Sequence, residues 1–281
     1  MQTQLEAALP NLQVECIPIV TSGDRDLISP IHEIGGKGLF IKEIEKALLD
    51  GEVDIAVHSL KDITSATPDA LSLRAFLKSE SFLDALILAP PFRSFHDLPP
   101  GTILATGSLR RQALLKRLRP EIKTIDIRGN INTRMKKLDR GDCDGLILAE
   151  AGLMRLGMEE RIAERFDPHI FTPAPGQGVI ALEIRTDDHA VRAVCDAIND
   201  PQQHLRSTME MEFLNVLGLD CKAPVGAFTF IENESIHLKV FISNQAMMAF
   251  FEDDVIAVPE ERLSKARALG ETCLHWLNRR R

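Results

Sequence analysis

VDIAVHSLKDI, residues 53–63, begins as a core strand and ends on a cluster of polar side chains. Val53, Ile55, Ala56 and Val57 make the short apolar run of a strand covered on both faces, the pattern of an α/β sheet. His58, Ser59, Lys61 and Asp62 follow where such a run would taper into a plain turn. In open α/β sheets, ligands bind outside the carboxyl ends of the strands. The stretch therefore reads as a strand that carries a basic and an acidic side chain to a crevice.

Working outward, residues 12–20 (LQVECIPIV) predict a strand and residues 38–50 (GLFIKEIEKALLD) an amphipathic helix. Residues 71–77 predict a further strand. ILAPPFRSFHDLPPG (87–101), with four prolines, predicts the crossover into a second domain. There the pattern gives strands at 102–105, 123–127 and 145–148 and helices at 109–118 and 131–138. TPAPGQGVIALEIR (172–185) is a Pro/Gly loop followed by a strand that returns to the first sheet. Beyond residue 200 a long helix at 204–217, strand runs at 225–231, 236–242 and 246–251, and a closing helix at 259–278 predict an α+β third domain. The divisions expected are 1–82 with 177–198 for the first domain, 83–176 for the second and 199–281 for the third.

The net charge of −8 and 5% aromatic content argue against a nucleic-acid binder. No apolar run approaches the roughly 18 residues of a membrane span, and the N-terminus shows no signal-peptide pattern. A soluble cytoplasmic protein is the expectation. Five widely spaced cysteines, with no C-x-x-C pair, suit a reducing compartment, and no histidine has metal-ligand spacing. Cys143 lies between two aspartates, and Cys16 and Cys195 have mostly apolar neighbours. Cys221, beside Lys222 in GLDCKAPVG, is by local charge the best candidate for a modified thiol, although an inert buried cysteine is the commoner case.

Arginine concentrates in the middle. From Arg110 to Arg165 there are ten arginines and four lysines against nine acidic residues, a net +5 inside an acidic chain. Arg110 and Arg111 (ATGSLRRQ) fall in the first turn of a helix that Ser108 can cap, where basic side chains oppose the helix dipole. Arg128 lies in DIRGN at another strand end, and Arg134 about one helical turn beyond. Any one of them could be a solvated surface residue. Together they call for a multiply anionic partner, since guanidinium forks pair with carboxylate or phosphate. The glycine-rich EIGGKGLFIKEIE (33–45), with Lys37, matches neither a Walker A loop nor G-x-G-x-x-G; a turn and a mobile, anion-contacting lid are equally compatible with it.

KGLFIKEIEKALLDGEVDIAVHSLKD, ATGSLRRQALL, IRGNINTRMKKLDRGDCDGLILAEAGLMRLG, PAPGQG and DCKAPVG occur in this order over almost the whole chain. In this the sequence resembles the porphobilinogen deaminase (hydroxymethylbilane synthase) family. The resemblance implies an α/β fold of two periplasmic-binding-protein-like lobes plus a small α+β C-terminal domain. It implies a transferase of tetrapyrrole (haem) biosynthesis that joins four porphobilinogen units head to tail, losing ammonia each time. By position, Cys221 would hold a dipyrromethane cofactor through a thioether, and Asp62 would be the catalytic carboxylate. Lys61, Ser59, Ser108, Arg110, Arg111, Arg128 and Arg134 would bind the cofactor, with Arg155, Arg128 and Arg134 on substrate carboxylates. The resemblance implies a monomer and no metal.

The sequence departs from the family in three places. Gly107 stands where many relatives have Ser, and Leu-Asp-Cys where Gly-Gly-Cys is usual. The family's usual opening strand and Thr-Arg-x-Ser-type loop have no counterpart, which points to a start placed too far downstream. The alternative is a truncated, weakly active or inactive homologue that binds an anionic small molecule.

Overall fold

The computed structural model describes residues 1–22, 41–63, 67–218 and 223–280. The glycine-rich loop with Lys37, and Cys221 with Lys222, lie outside the described residues. The fold is α/β, with three sheets among the described residues.

The first sheet contains β1 (Ala56–Ser59), β2 (Leu71–Phe76) and β8 (Ile180–Arg185), in the order β1-β8-β2. Both pairings are antiparallel, and Leu182 sits opposite Val57 on one side and Ala75 on the other. The chain thus leaves this lobe after β2 and returns through β8. Helices α1 (Gln2–Ala8), α2 (Lys42–Leu49) and α6 (His189–Asp196) belong to the same lobe. Leu48 of α2 packs with Ala56 and Leu71 of the sheet. Cys195 of α6 packs with Ala75, Leu182 and Ile184.

The second sheet has five strands in the order β5-β4-β6-β3-β7. These are β3 (Asp84–Leu88), β4 (Ile103–Ala105), β5 (Lys123–Ile125), β6 (Gly145–Ala149) and β7 (Glu164–Arg165). β4 runs parallel to β5 and β6; β3 runs antiparallel to β6 and β7. The helices between them start on side-chain caps, which satisfy amide donors left free by the first turn. Ser108 Oγ accepts from the Arg111 amide to start α3 (Leu109–Leu118). Asn130 Oδ1 accepts from the Thr133 amide at 2.9 Å to start α4 (Ile131–Asp139). A short helix, α5 (Glu150–Met154), follows β6.

The third domain is an antiparallel meander of β9 (Val225–Glu232), β10 (Ser235–Ser243) and β11 (Phe250–Ala257), covered by α7 (Pro201–Leu217) and α8 (Arg262–Asn278). Asp200 caps α7, Pro201 opens it and Gly218 ends it in the left-handed region, the proline-first, glycine-last order helices prefer. Phe213, Leu238, Val240 and Ala266 form the heart of this core, all fully buried.

Three expectations need correction. Residues 12–20 form no strand among the described residues. Their apolar pattern suits one, but none of the described strands pairs with them. The last strand of the meander is β11 at Phe250–Ala257, not 246–251. Asn244 takes up residues 244–249 in a turn, its Oδ1 accepting from the Met248 and Ala249 amides, so pairing begins at Ser243 opposite Phe250. No strand is expected between residue 77 and the proline-rich crossover at 87–101, yet β3 lies there inside the second sheet, with Asp84, Ala85, Leu86 and Ile87 fully buried. Its apolar run is too short to be told from a linker beside Pro90 and Pro91.

Candidate active site

β1 ends in a single 3₁₀ turn, Leu60–Asp62. The Leu60 amide donates to the Val179 carbonyl at 3.0 Å, and the Leu60 side chain is buried with Ile63, Phe76 and Val179. Lys61 and Asp62 are half-buried on this turn. His58, on β1 itself, meets Glu183 at 3.1 Å, both buried. The polar end of the opening stretch therefore splits: His58 bonds within the sheet, while Lys61 lies in the field of Asp84, Arg110 and Arg111 from the second sheet. Ser59, half-buried, closes the ladder opposite Ile180.

Neither Lys61 nor Asp62 makes a hydrogen bond or close ion pair among the described residues. Burial raises the Asp62 carboxyl above the ordinary carboxylate value, with Lys61 and His58 opposing the rise. Burial lowers the Lys61 ammonium; Asp62 and Asp84 counter this, while Arg111 and Arg110 add to it. Lys61 thus lies within the field of the arginine cluster. The first sheet's strand end and the second sheet's first helix meet here.

That cluster has a centre the sequence reading missed. Asp84, at the start of β3, is fully buried and receives both arginines of the helix start. Arg110 grips it with two nitrogens at 2.6 and 3.2 Å and gives a third bond to the Thr172 carbonyl at 2.7 Å. Arg111 donates Nε to Asp84 at 2.8 Å and Nη1 to the Ile147 carbonyl at 2.8 Å. Gln177 completes the group, donating to Asp84 at 3.1 Å and accepting from Arg111 at 3.3 Å. Burial works against the Asp84 charge, but Arg110 and Arg111, with hydrogen bonds from Arg110 and Gln177, hold its pKa at about 2. The anion demanded by two arginines in a first helical turn is in the first place this aspartate. Its signal was an acidic residue leading an apolar run, DALIL.

One carboxylate for two guanidiniums leaves positive charge over. Arg134 adds to it. Its Nε donates to the Gly129 carbonyl at 2.7 Å, and burial with Arg111 and Arg128 nearby lowers its pKa to about 10, against Asp126 alone in opposition. Arg128 is buried at the turn where Gly129 takes φ +103°. Ser108 spends its hydroxyl oxygen on the helix cap. Arg155 sits apart, exposed, donating to the Gly178 carbonyl at 2.8 Å and reaching Glu80 at 3.4 Å.

The loop 173–178 (PAPGQG) joins all three domains. Gln177 binds the Asp84 group. Glu210 of α7 accepts from the Gly176 amide at 2.7 Å and from the Thr229 amide and hydroxyl at 2.8 and 2.7 Å. Buried cysteines elsewhere are poor nucleophiles: burial pushes the Cys195 and Cys273 thiols up to about 12 and raises Cys143 as well.

A family model described as porphobilinogen deaminase, dipyromethane cofactor binding domain, matches residues 1–193. The chain belongs to the porphobilinogen deaminase family. It is 40% identical over 270 residues to the porphobilinogen deaminase of Syntrophomonas wolfei, covering 96% of this chain and 88% of that one. Among solved structures, the VFT2 domain of Bordetella pertussis BvgS overlays with a TM-score of 0.41 at 17% identity, over 76% of this chain and 79% of that one. A TRAP periplasmic solute binding protein from Desulfovibrio salexigens gives 0.41 at 13% identity, over 76% and 68%. Scores this low leave the fold to be judged on its own strand order.

Proposed function

We propose that the seam between the first two lobes holds a growing chain of pyrroles by its carboxylates, and that Asp62 is the group that stabilises the cations formed there. The family reaction is hydroxymethylbilane synthesis, the head-to-tail joining of four porphobilinogen units with loss of ammonia. Each unit carries an acetate and a propionate, so substrate and product are polycarboxylates. The positive charge of Arg111 and Arg134, which lower each other's affinity for protons across the site, fits that chemistry, because carboxylates entering a buried, positive site gain more than they would in water.

The observation that carries the reading is Asp62: a desolvated carboxylate without a hydrogen-bond partner among the described residues, beside Lys61 at the edge of the arginine field. When ammonia leaves porphobilinogen, an electron-poor cation remains, and attack by a pyrrole generates another. A fixed carboxylate facing the pyrrole N–H groups lowers both barriers without reorganising, and can accept the proton that restores aromaticity. Lys61 and Ser59 orient carboxylates on the same side, and Arg155 meets the outer end of the substrate.

A dipyrromethane bound to the enzyme supplies the pyrrole terminus on which the chain is built. The residues present fit it. Four carboxylates on two rings match the arginine surplus, and three of the five cysteines are buried and unreactive, which leaves Cys221 and the exposed Cys16. Cys221, followed by Lys222, is the one we assign to the thioether. Arg110 and Arg111 hold the cofactor side chains only with what Asp84 leaves free. We also assign the protein to the cytoplasm as a monomer; no described helix is long and apolar enough to cross a membrane.

Asp62→Asn tests the reading. Porphobilinogen turnover should fall by roughly 10²–10³-fold with the melting temperature unchanged or raised, because the substitution removes a partly desolvated charge that has no hydrogen-bond partner among the described residues. The parent's turnover should fall on the acid side at a pH above 3.8, the ordinary value for this carboxyl, as Asp62 takes up its proton. A variant that turns over like the parent would remove Asp62 from the chemistry.

A further inference from the structure

Glu210 is a buried carboxylate on α7 that the chemistry assigned above does not use. Among the described residues, every hydrogen bond it makes is with a donor. Oε2 accepts from the Gly176 amide at 2.7 Å, and Oε1 from the Thr229 amide at 2.8 Å and the Thr229 hydroxyl at 2.7 Å. Burial raises this carboxyl above its ordinary value, while Arg206 and the three bonds oppose the rise. A protonated acid would turn its O–H onto one of these donors, so the arrangement suits the ionised form.

The three bonds meet at a junction. α7 ends at Leu217 and β9 begins at Val225, so Glu210 and Thr229 stand on either side of the segment that contains Cys221. Gly176 stands between the two halves of the site. A Cβ there would lie 2.6 Å from Cγ of Leu60, which shares a 3₁₀ turn with Lys61 and Asp62. Its neighbour Gln177 binds Asp84 and Arg111. A further bond, from the Ala227 amide to the Pro173 carbonyl at 2.9 Å, joins β9 to the same loop. Glu210 thus reaches in one step the loop that touches both the Asp62 turn and the arginine cluster.

We propose that Glu210 is a positioning residue for the reaction. Through the Gly176 amide it fixes the third domain to the loop that carries Gln177 and packs on Leu60. A group attached to the third domain is thereby held in register with Asp62 and the arginines. The inference rests on the reading of Cys221 and Asp62 given above, and Glu210 acts through the loop, not on the substrate.

Glu210→Gln separates the bonds. A carboxamide has one acceptor oxygen and two N–H donors. With its oxygen on the two Thr229 donors, its nitrogen faces the Gly176 amide, donor against donor. The tie to the loop is lost while the tie inside the third domain stays. Thr229→Val is the comparison: it removes a buried hydroxyl from the same carboxylate and leaves both amide bonds. Parent and variants, purified from cells that make porphobilinogen, are measured for intact mass, amide exchange, melting temperature and turnover below the melt. All three should carry two linked pyrrole units. Exchange at Gly176 should quicken by about tenfold or more in Glu210→Gln alone. Its kcat should fall roughly tenfold to a hundredfold, with KM for porphobilinogen within about twofold of the parent's. Thr229→Val should melt lower and keep the parent's kcat. An unchanged kcat in Glu210→Gln would overturn the proposal. So would an equal fall in Thr229→Val, which would mark lost stability as the cause. An adduct missing from Glu210→Gln alone would make Glu210 part of the attachment step and would equally overturn it. A parent without adduct would instead defeat the reading of Cys221, and this inference with it, before any variant is compared.

Discussion

Asp84 holds two buried guanidiniums, those of Arg110 and Arg111, in place. Asp84→Asn leaves Arg110 and Arg111 in a dry site with a neutral partner, and breaking such a pair costs roughly 3–5 kcal/mol; chemical denaturation of the two forms should show the difference. Its folded pKa of about 2 lies below the ordinary 3.8. Its contribution is therefore complete above pH 3.8 and is lost as the pH falls through 2, and urea melts across that window should lose this dependence in Asp84→Asn. Arg134 behaves in the opposite way. Its charge is held against burial and two other arginines, so Arg134→Gln should leave the melting temperature unchanged or raised. The KM for porphobilinogen should rise by about tenfold or more, less so at high salt. Lys61, Asp62 and the arginines were legible in the sequence because charge at strand ends and in a first helical turn has few structural uses. Asp84 and Gln177 were not, since each becomes meaningful only when the partner it satisfies is brought from 26 and 66 residues away.

At the scale of elements, the alternation of helix and strand was readable wherever apolar periodicity ran for a full element. α3, α4, α7 and β6 fall within a residue or a few of their expected limits. The errors lie where pairing, not pattern, decides. Residues 12–20 have a strand's pattern and no partner strand among the described residues; β3 has partners and too little pattern. β11 hid its strand character behind Glu252, Asp253 and Asp254, which face solvent on the edge of the meander. The loop 173–178 was recognised as Pro/Gly-rich but not as the joint of the three domains. Gly178 there has φ +82°, and a Cβ would stand 1.8 Å from the Ser81 carbonyl oxygen, on the neighbouring crossover. Gly178→Ala must push the two crossovers apart. It should destabilise by at least about 3 kcal/mol and lower turnover with it, because Gln177 would move off Asp84; thermal melts beside activity assays will show whether the two losses go together.

For the whole molecule, two lobes each bring one half of a charge pattern to their seam. The first supplies a carboxylate and a lysine on a rigid strand end, the second a field of arginines whose surplus one internal aspartate only partly neutralises. The third domain is tied to both through Glu210 and the 173–178 loop, and it carries the segment that contains Cys221. On the proposed reading, this site binds a polycarboxylate chain while one end stays attached to the enzyme. The attachment is the feature that separates a polymerising enzyme from a two-lobed anion binder. Intact mass of the protein purified from cells that make porphobilinogen reads it directly. The parent and Cys16→Ser should each carry two linked pyrrole units, and Cys221→Ser should carry none. An unmodified parent, or an adduct that survives in Cys221→Ser, would contradict the account.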